Sequence, residues 1–229
     1  MKLFRRRQLW VPTLWTWLAL CALAAAAVFA AVRHVYAFLA PSAPVGARVL
    51  VVEGWMADAE LDQAPAVIRG GRYERIVTTG GPIERDCERV SAHSYAERAR
   101  DRLVQSGIPA DVVTAAPAPA SAQERTFLNA VMVREWAERA GAKLDSVDVF
   151  SSGVHSRRTW LVYGLALGPR TRVGILAATP SGYDPAAWWR TSSGAEEVLG
   201  QGIAWLWTEL LFRPGPRGSP QEKWAVPSQ

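Results

Sequence analysis

The chain has 229 residues, 49% of them hydrophobic, with 26 Lys and Arg against 21 Asp and Glu and a net charge of +5. That length suits one well-buried domain and leaves little for a second. Lys2, Arg5, Arg6, Arg7 and Arg33 are the only charged residues before Arg48, so the rest of the chain is balanced and carries no net basic field for nucleic acid.

Residues 9–32 contain no charge, a run long enough to cross a bilayer as a helix. The basic tail 1–8 precedes it, which by the positive-inside rule keeps the N-terminus in the cytoplasm. Trp10, Trp15 and Trp17 suit one interface; His34, Tyr36 and Phe38 suit the other. A cleaved signal peptide is the rival reading, because residues 28–31 (VFAA) offer small residues at cleavage-like spacing. The apolar run exceeds the usual h-region of about 7–15 residues and carries three tryptophans, which favours an uncleaved anchor. Both readings put the following domain outside the cytoplasm, and the anchor reading makes this a single-pass membrane protein. Cys21 lies in the apolar run and Cys87 is alone beyond it, so no disulfide forms within the domain.

Residues 33–47 read as a linker, with PSAPVG at its end. Residues 48–52 (RVLVV) form a continuous β-branched run, expected of a strand covered on both faces. Helical spacing follows over 60–69, stopped by Gly70 and Gly71. A second strand spans 75–78, ending at Thr79-Gly80-Gly81, and an amphipathic helix spans 91–105. Residues 111–115 give a third strand. Ser121 and Glu124 have capping-box spacing for a helix running to about Ala140. A fourth strand over 146–150, a helix over 159–167, a fifth strand over 172–177 and a Trp- and Leu-rich helix over 195–212 complete the alternation. Residues 213–229 read as a flexible tail. The fold class expected over 48–212 is α/β: a Rossmann-like three-layer α/β/α sandwich with a mostly parallel sheet of about five strands, preceded by one transmembrane helix.

Ligands of such sheets bind at the carboxyl ends of the strands, near a switch in strand order. The groups placed there are Glu53, Thr78 to Gly81, Thr126 with Asn129, and residues 151–158 (SSGVHSRR). Hydroxyls and unhindered backbone N–H groups of Thr78, Thr79, Gly80, Gly81, Ser151 and Ser152 suit an anion, although a tight turn alone also explains paired glycines. Thr126 and Asn129 share a helix face and either contact a ligand or brace a loop. Arg158 suits a phosphate or carboxylate, while Arg157 is expected to be solvated. His155 and Glu53 are the candidate proton carriers, with helix capping and a structural salt bridge as their plainer roles. Three histidines, no HExxH and no Cys pair exclude the usual zinc sites, and no Walker, dinucleotide-binding or nucleophile-elbow motif occurs. No cofactor is assigned.

Taken in order, Glu53-Gly54, Thr79-Gly80-Gly81, Thr126-x-x-Asn129 and Ser151-Ser152 with His155-x-x-Arg158 resemble the motifs of the YdcF/SanA/ElyC family, over residues 48–212. This chain departs from that pattern at Glu53-Gly54-Trp55, where glycine-rich residues are usual, and at Arg125-Thr126. The resemblance implies a Rossmann-like sandwich with the motifs around one cleft, an anchor in the bacterial inner membrane with the domain outside the cytoplasm, and a role in the bacterial envelope, in peptidoglycan or lipid-carrier metabolism. The first functional expectation is a membrane-anchored envelope protein whose cleft takes an anionic or phosphorylated small molecule or precursor. The second is a non-enzymatic assembly factor that docks envelope proteins through the helix bearing Trp205 and Trp207, a helix that core packing or bilayer contact also explains. The third is an enzyme using a nucleotide or S-adenosylmethionine, which a relative of the family is reported to bind.

Overall fold

The computed structural model describes residues 12–83, 92–121 and 123–223. The basic tail 1–8, the start of the apolar run with Trp10, Cys87 and the start expected for the helix over 91–105 lie outside the described residues. Two units emerge, Met1–Val35 and Tyr36–Gln229.

The first unit holds most of helix α1 (Leu14–Leu39), 26 residues long and apolar enough to cross a membrane. The helix continues through residues expected in the linker 33–47. No Pro or Gly interrupts it before Pro41, so the backbone has no reason to stop at Arg33.

The second unit contains a five-stranded, all-parallel sheet in the order β3-β2-β1-β4-β5. Its strands are β1 (Val49–Glu53), β2 (Arg75–Gly80), β3 (Val113–Pro117), β4 (Ser146–Ser151) and β5 (Arg172–Ala177). Alternate residues of the buried strands face opposite layers. Val51, Val77 and Val149 pack against Phe127, Val131 and Tyr163 of α5 (Arg125–Arg139) and α6 (Ser156–Leu167). Leu50, Val52, Ile76 and Phe150 pack against Leu61, Ala64 and Leu103 of α2 (Asp58–Leu61), α3 (Ala64–Gly70) and α4 (Tyr95–Gln105). This is the three-layer α/β/α sandwich. A final helix, α7 (Ser192–Leu210), packs beside α6.

Several local expectations are corrected. The helix over 60–69 is two short pieces, because Pro65 has no N–H to donate to the carbonyl of Leu61. The capping box belongs to Ser94 and Glu97 at the start of α4, whereas Ser121 and Glu124 form none and Glu124 makes no side-chain cap to α5. The end of the linker is pinned to the sheet: buried Asp148 accepts hydrogen bonds from Val45 N (2.7 Å) and Ala47 N (3.0 Å). A Cβ at Gly174 would lie 1.9 Å from that carboxylate, so only glycine fits beside it. The tail expected to be flexible from residue 213 is packed as far as 223. Glu222 is buried and pairs with both terminal nitrogens of buried Arg134 on α5, at 2.8 and 2.7 Å.

Candidate functional site

β1 sits at the centre of the sheet, with β2 and β3 on one side and β4 and β5 on the other, so strand order reverses between β1 and β4. Their carboxyl ends carry Glu53 and Ser151. Glu53 Oε2 accepts from Ser151 Oγ at 2.5 Å and from Thr159 Oγ1 at 3.1 Å, with the side chain wholly buried. Burial pushes its carboxyl up to about 7, against the opposing pull of the Ser151, Thr159 and Trp55 donors and the charge of Arg158.

A cavity of about 550 Å³ opens over these strand ends. The loop after β3, the first turns of α5, the turn into α6 and one side chain of α7 frame it, with Trp55, Gly81 and Tyr95 completing the wall. Glu124, the residue before α5, has φ of +43°, the one non-glycine with positive φ among the described residues. Such a left-handed conformation costs on the order of 1 kcal/mol and is held by the Glu124 Oε2–Arg158 Nη2 ion pair at 2.8 Å. Because Glu124 points to Arg158 and not back to its own helix, the N-terminus of α5 has no side-chain cap. Arg125, the first residue of α5, is exposed at the cavity and has no acidic partner among the described residues. Asn129, one turn on, is 2% exposed, and its Oδ1 has no hydrogen-bond partner among the described residues.

His155 closes the inner end. Its Nδ1 is 2.9 Å from Gln201 Oε1 on α7 and its Nε2 is 3.2 Å from Thr126 Oγ1 on α5. With the Gln201 oxygen as acceptor, the proton sits on Nδ1 and the Nε2 lone pair receives the Thr126 hydroxyl. The Trp55 ring meets the imidazole edge-on at 4.8 Å. Burial first, then the positive charge of Arg158, lower His155 to about 4, with Gln201 opposing the shift, so the ring is neutral at pH 7. A hydroxyl, a neutral imidazole and an orienting amide in series form the geometry of an activated nucleophile or a general base. Among the described residues no group of three or more His, Cys, Asp or Glu side chains is arranged to hold a metal ion.

The expected site residues thus divide. Gly81, Thr126, Asn129, His155 and Arg158 line the cavity; Glu53, Thr78, Thr79, Gly80, Ser151 and Ser152 do not. The hydroxyls read as an anion cradle are engaged internally. Thr78 donates to Ala96 O (2.8 Å), Thr79 to Asn129 O (3.5 Å), Ser151 to Glu53 and Ser152 to Glu60 (3.0 Å). Gly80 is needed for close packing, since a Cβ there would lie 2.6 Å from Tyr95 Cβ. Arg158 is already neutralised by Glu124 and donates Nε–H to Thr208 Oγ1 at 3.0 Å. Arg157 is not simply solvated: its guanidinium stacks 4.2 Å over Phe38 and donates to the Phe38 carbonyl. The sequence reading missed Gln201, whose one visible signal is a lone amide within the apolar run of α7, and treated Arg125 only as a departure from a motif.

No protein-family model matches the chain, and no curated protein matches it.

Proposed function

We propose that the second unit binds an anionic, hydroxyl-bearing small molecule, of the kind represented by sugar phosphates and phosphorylated envelope precursors, in a protein anchored to a membrane by α1. The observation that carries this reading is Arg125, a cation without an acidic partner among the described residues, beside the uncapped N-terminus of α5. Asn129, a buried amide whose oxygen has no partner among the described residues, supplies the second contact and asks for a ligand that donates a hydrogen bond, as a hydroxyl does. The cavity volume is within the range of small-molecule sites. The resemblance to the YdcF/SanA/ElyC family supports an envelope setting, with the N-terminus in the cytoplasm of a bacterial cell and the α/β unit outside it. If the bound molecule carries an electrophilic centre, Thr126 and His155 are the pair that would act on it.

The test is a thermal-shift screen of the full chain in detergent, against sugar phosphates, polyprenyl phosphates, nucleotides and S-adenosylmethionine. A ligand at about 100 times its Kd adds roughly 2.7 kcal/mol of stability. The expected hit is a phosphorylated sugar or lipid carrier whose shift disappears in Arg125→Ala and shrinks in Asn129→Ala. A shift that survives both substitutions places the ligand elsewhere and overturns the reading.

A further inference from the structure

α7 carries an apolar stripe that the described residues of its own unit leave exposed. Leu199, Ile203, Leu206, Trp207 and Leu210 recur at three- and four-residue spacing, and with Leu211 they are 43–70% exposed. Val198 and Thr208 are buried on the opposite side of the helix, and Gln201 reaches the cavity from that side. A contiguous stripe of this size on a water-facing helix requires an occupant.

The chain itself indicates which one. α1 runs unbroken to Leu39, and Phe38, three residues beyond Val35, packs edge-on against Trp205 of α7 with ring centroids 4.8 Å apart. Phe38 belongs to the second unit and is only three residues along the chain from Val35, the last residue of the first. Cations border the same region. Arg157 is stacked over Phe38 and faces Trp160, and Arg213 caps the carbonyls of Leu210 and Phe212 at the end of α7. A groove of about 510 Å³ walled by Phe38, Trp160, Leu165 and Trp205 lies beside Arg157, with one carboxylate, Glu209, also on its wall. Apolar side chains and tryptophan edged by arginine are the composition of a surface resting in the interface of a bilayer, where guanidinium groups meet lipid phosphates.

We propose that the exposed face of α7, from Leu199 to Leu211, lies in the membrane interface, with Arg157 and Arg213 at headgroup level. The proposal rests on the anchoring of α1 in a bilayer, and the experiment separates the two. The full chain, in a Cys21→Ala and Cys87→Ala background, is reconstituted in phosphatidylcholine–phosphatidylglycerol liposomes. Nitroxide labels are placed one at a time at Phe29→Cys in α1, Ile203→Cys and Leu210→Cys on the stripe, and Lys143→Cys on the exposed loop before β4. Collision of each label with oxygen and with a water-soluble nickel chelate is measured by electron paramagnetic resonance. The expected result is oxygen-dominated relaxation at residues 29, 203 and 210 and nickel-dominated relaxation at 143. If 203 and 210 behave like 143 while 29 remains in lipid, the anchor stands and this inference fails. If 29 is also open to nickel, the anchoring itself fails. Shielding of 203 and 210 from both reagents, with spin–spin broadening that vanishes on dilution by unlabelled chain, would show a second copy on the stripe and also overturn the proposal.

Discussion

Glu124 and Arg158, joined at 2.8 Å across the mouth of the cavity, determine how much positive charge a ligand meets there. Both side chains are about one-sixth exposed, so the pair is screened less than a surface salt bridge. Glu124 offsets the positive charge of Arg158 and at the same time leaves α5 uncapped. Replacing it by Gln keeps the size of the side chain and removes the competing charge. Glu124→Gln is expected to tighten binding of a phosphorylated ligand roughly tenfold, about 1.4 kcal/mol, in a calorimetric titration. Weaker binding in that variant would mean that Glu124 contacts the ligand directly.

The two buried titratable groups near the strand ends oppose each other. Glu53 is raised from 4.5 to about 7, so its contribution to stability is present below pH 4.5 and is lost as pH rises to 7. His155 is lowered from 6.5 to about 4, so its neutral form contributes fully above pH 6.5 and that contribution is lost as pH falls to 4. Between pH 4.5 and 6.5 the slopes of these two groups cancel, so the pair adds little pH dependence to the wild-type denaturation midpoints over that window. Glu53→Gln removes one slope, leaving a fall of up to about 3 kcal/mol on acidification from His155 alone. A variant curve with the same slope as wild type would exclude this origin.

The sheet was legible because its signal is local: β-branched runs bounded by Gly and Pro. Residues 172–177 were read as a strand, and the structure has β5 over the same span. The site was less legible because hydrogen-bond partners lie far apart in the chain. Thr126 meets His155 across 29 residues, and Ser152 meets Glu60 across 92. A strand-end hydroxyl looks the same in sequence whether it faces a ligand or, like Ser151, a buried carboxylate. The linker and tail misled for a related reason. Asp148 and Arg134 sit within a strand and a helix, with nothing local to show that they capture Val45, Ala47 and Glu222.

The Arg134–Glu222 pair yields a stability prediction. Both groups are buried, and Arg134 Nη1 also donates to Ala166 O at 2.8 Å. Burial by itself would raise Glu222, but the hydrogen bonds from Arg134 and from Gly218 N–H hold it below the usual carboxylate value. Its contribution is therefore present above the unfolded value and is lost as pH falls through the lowered one. Glu222→Ala leaves Arg134 buried with its principal partner gone and is expected to cost about 3–5 kcal/mol in urea denaturation. The double variant Arg134→Met, Glu222→Leu should cost much less, since no buried charge is left unpaired. Equal losses in the two variants would show that packing of residues 213–223, and not the charge pair, holds that segment.

Gln201 controls the state of His155 from α7. Its oxygen accepts the Nδ1 proton at 2.9 Å and is the one contact that raises an imidazole otherwise lowered by burial and Arg158. A carboxylate at the same distance stabilises the protonated ring more strongly than an amide does. In Gln201→Glu the imidazole pKa should therefore rise from about 4 by at least one unit, read from the ring-proton shifts of His155 in an NMR titration. In Gln201→Leu the Nδ1 proton loses its acceptor. The expected outcome is a lower pKa together with a loss of about 1–3 kcal/mol, the cost of an unmet buried donor. If Nδ1 were instead the unprotonated nitrogen, the Gln201 amide would turn its NH2 to that lone pair and Gln201→Leu would cost a similar amount. The 15N shifts of the two ring nitrogens, read in the same titration, therefore fix the tautomer, and with it whether Nε2 is free to take a proton from Thr126.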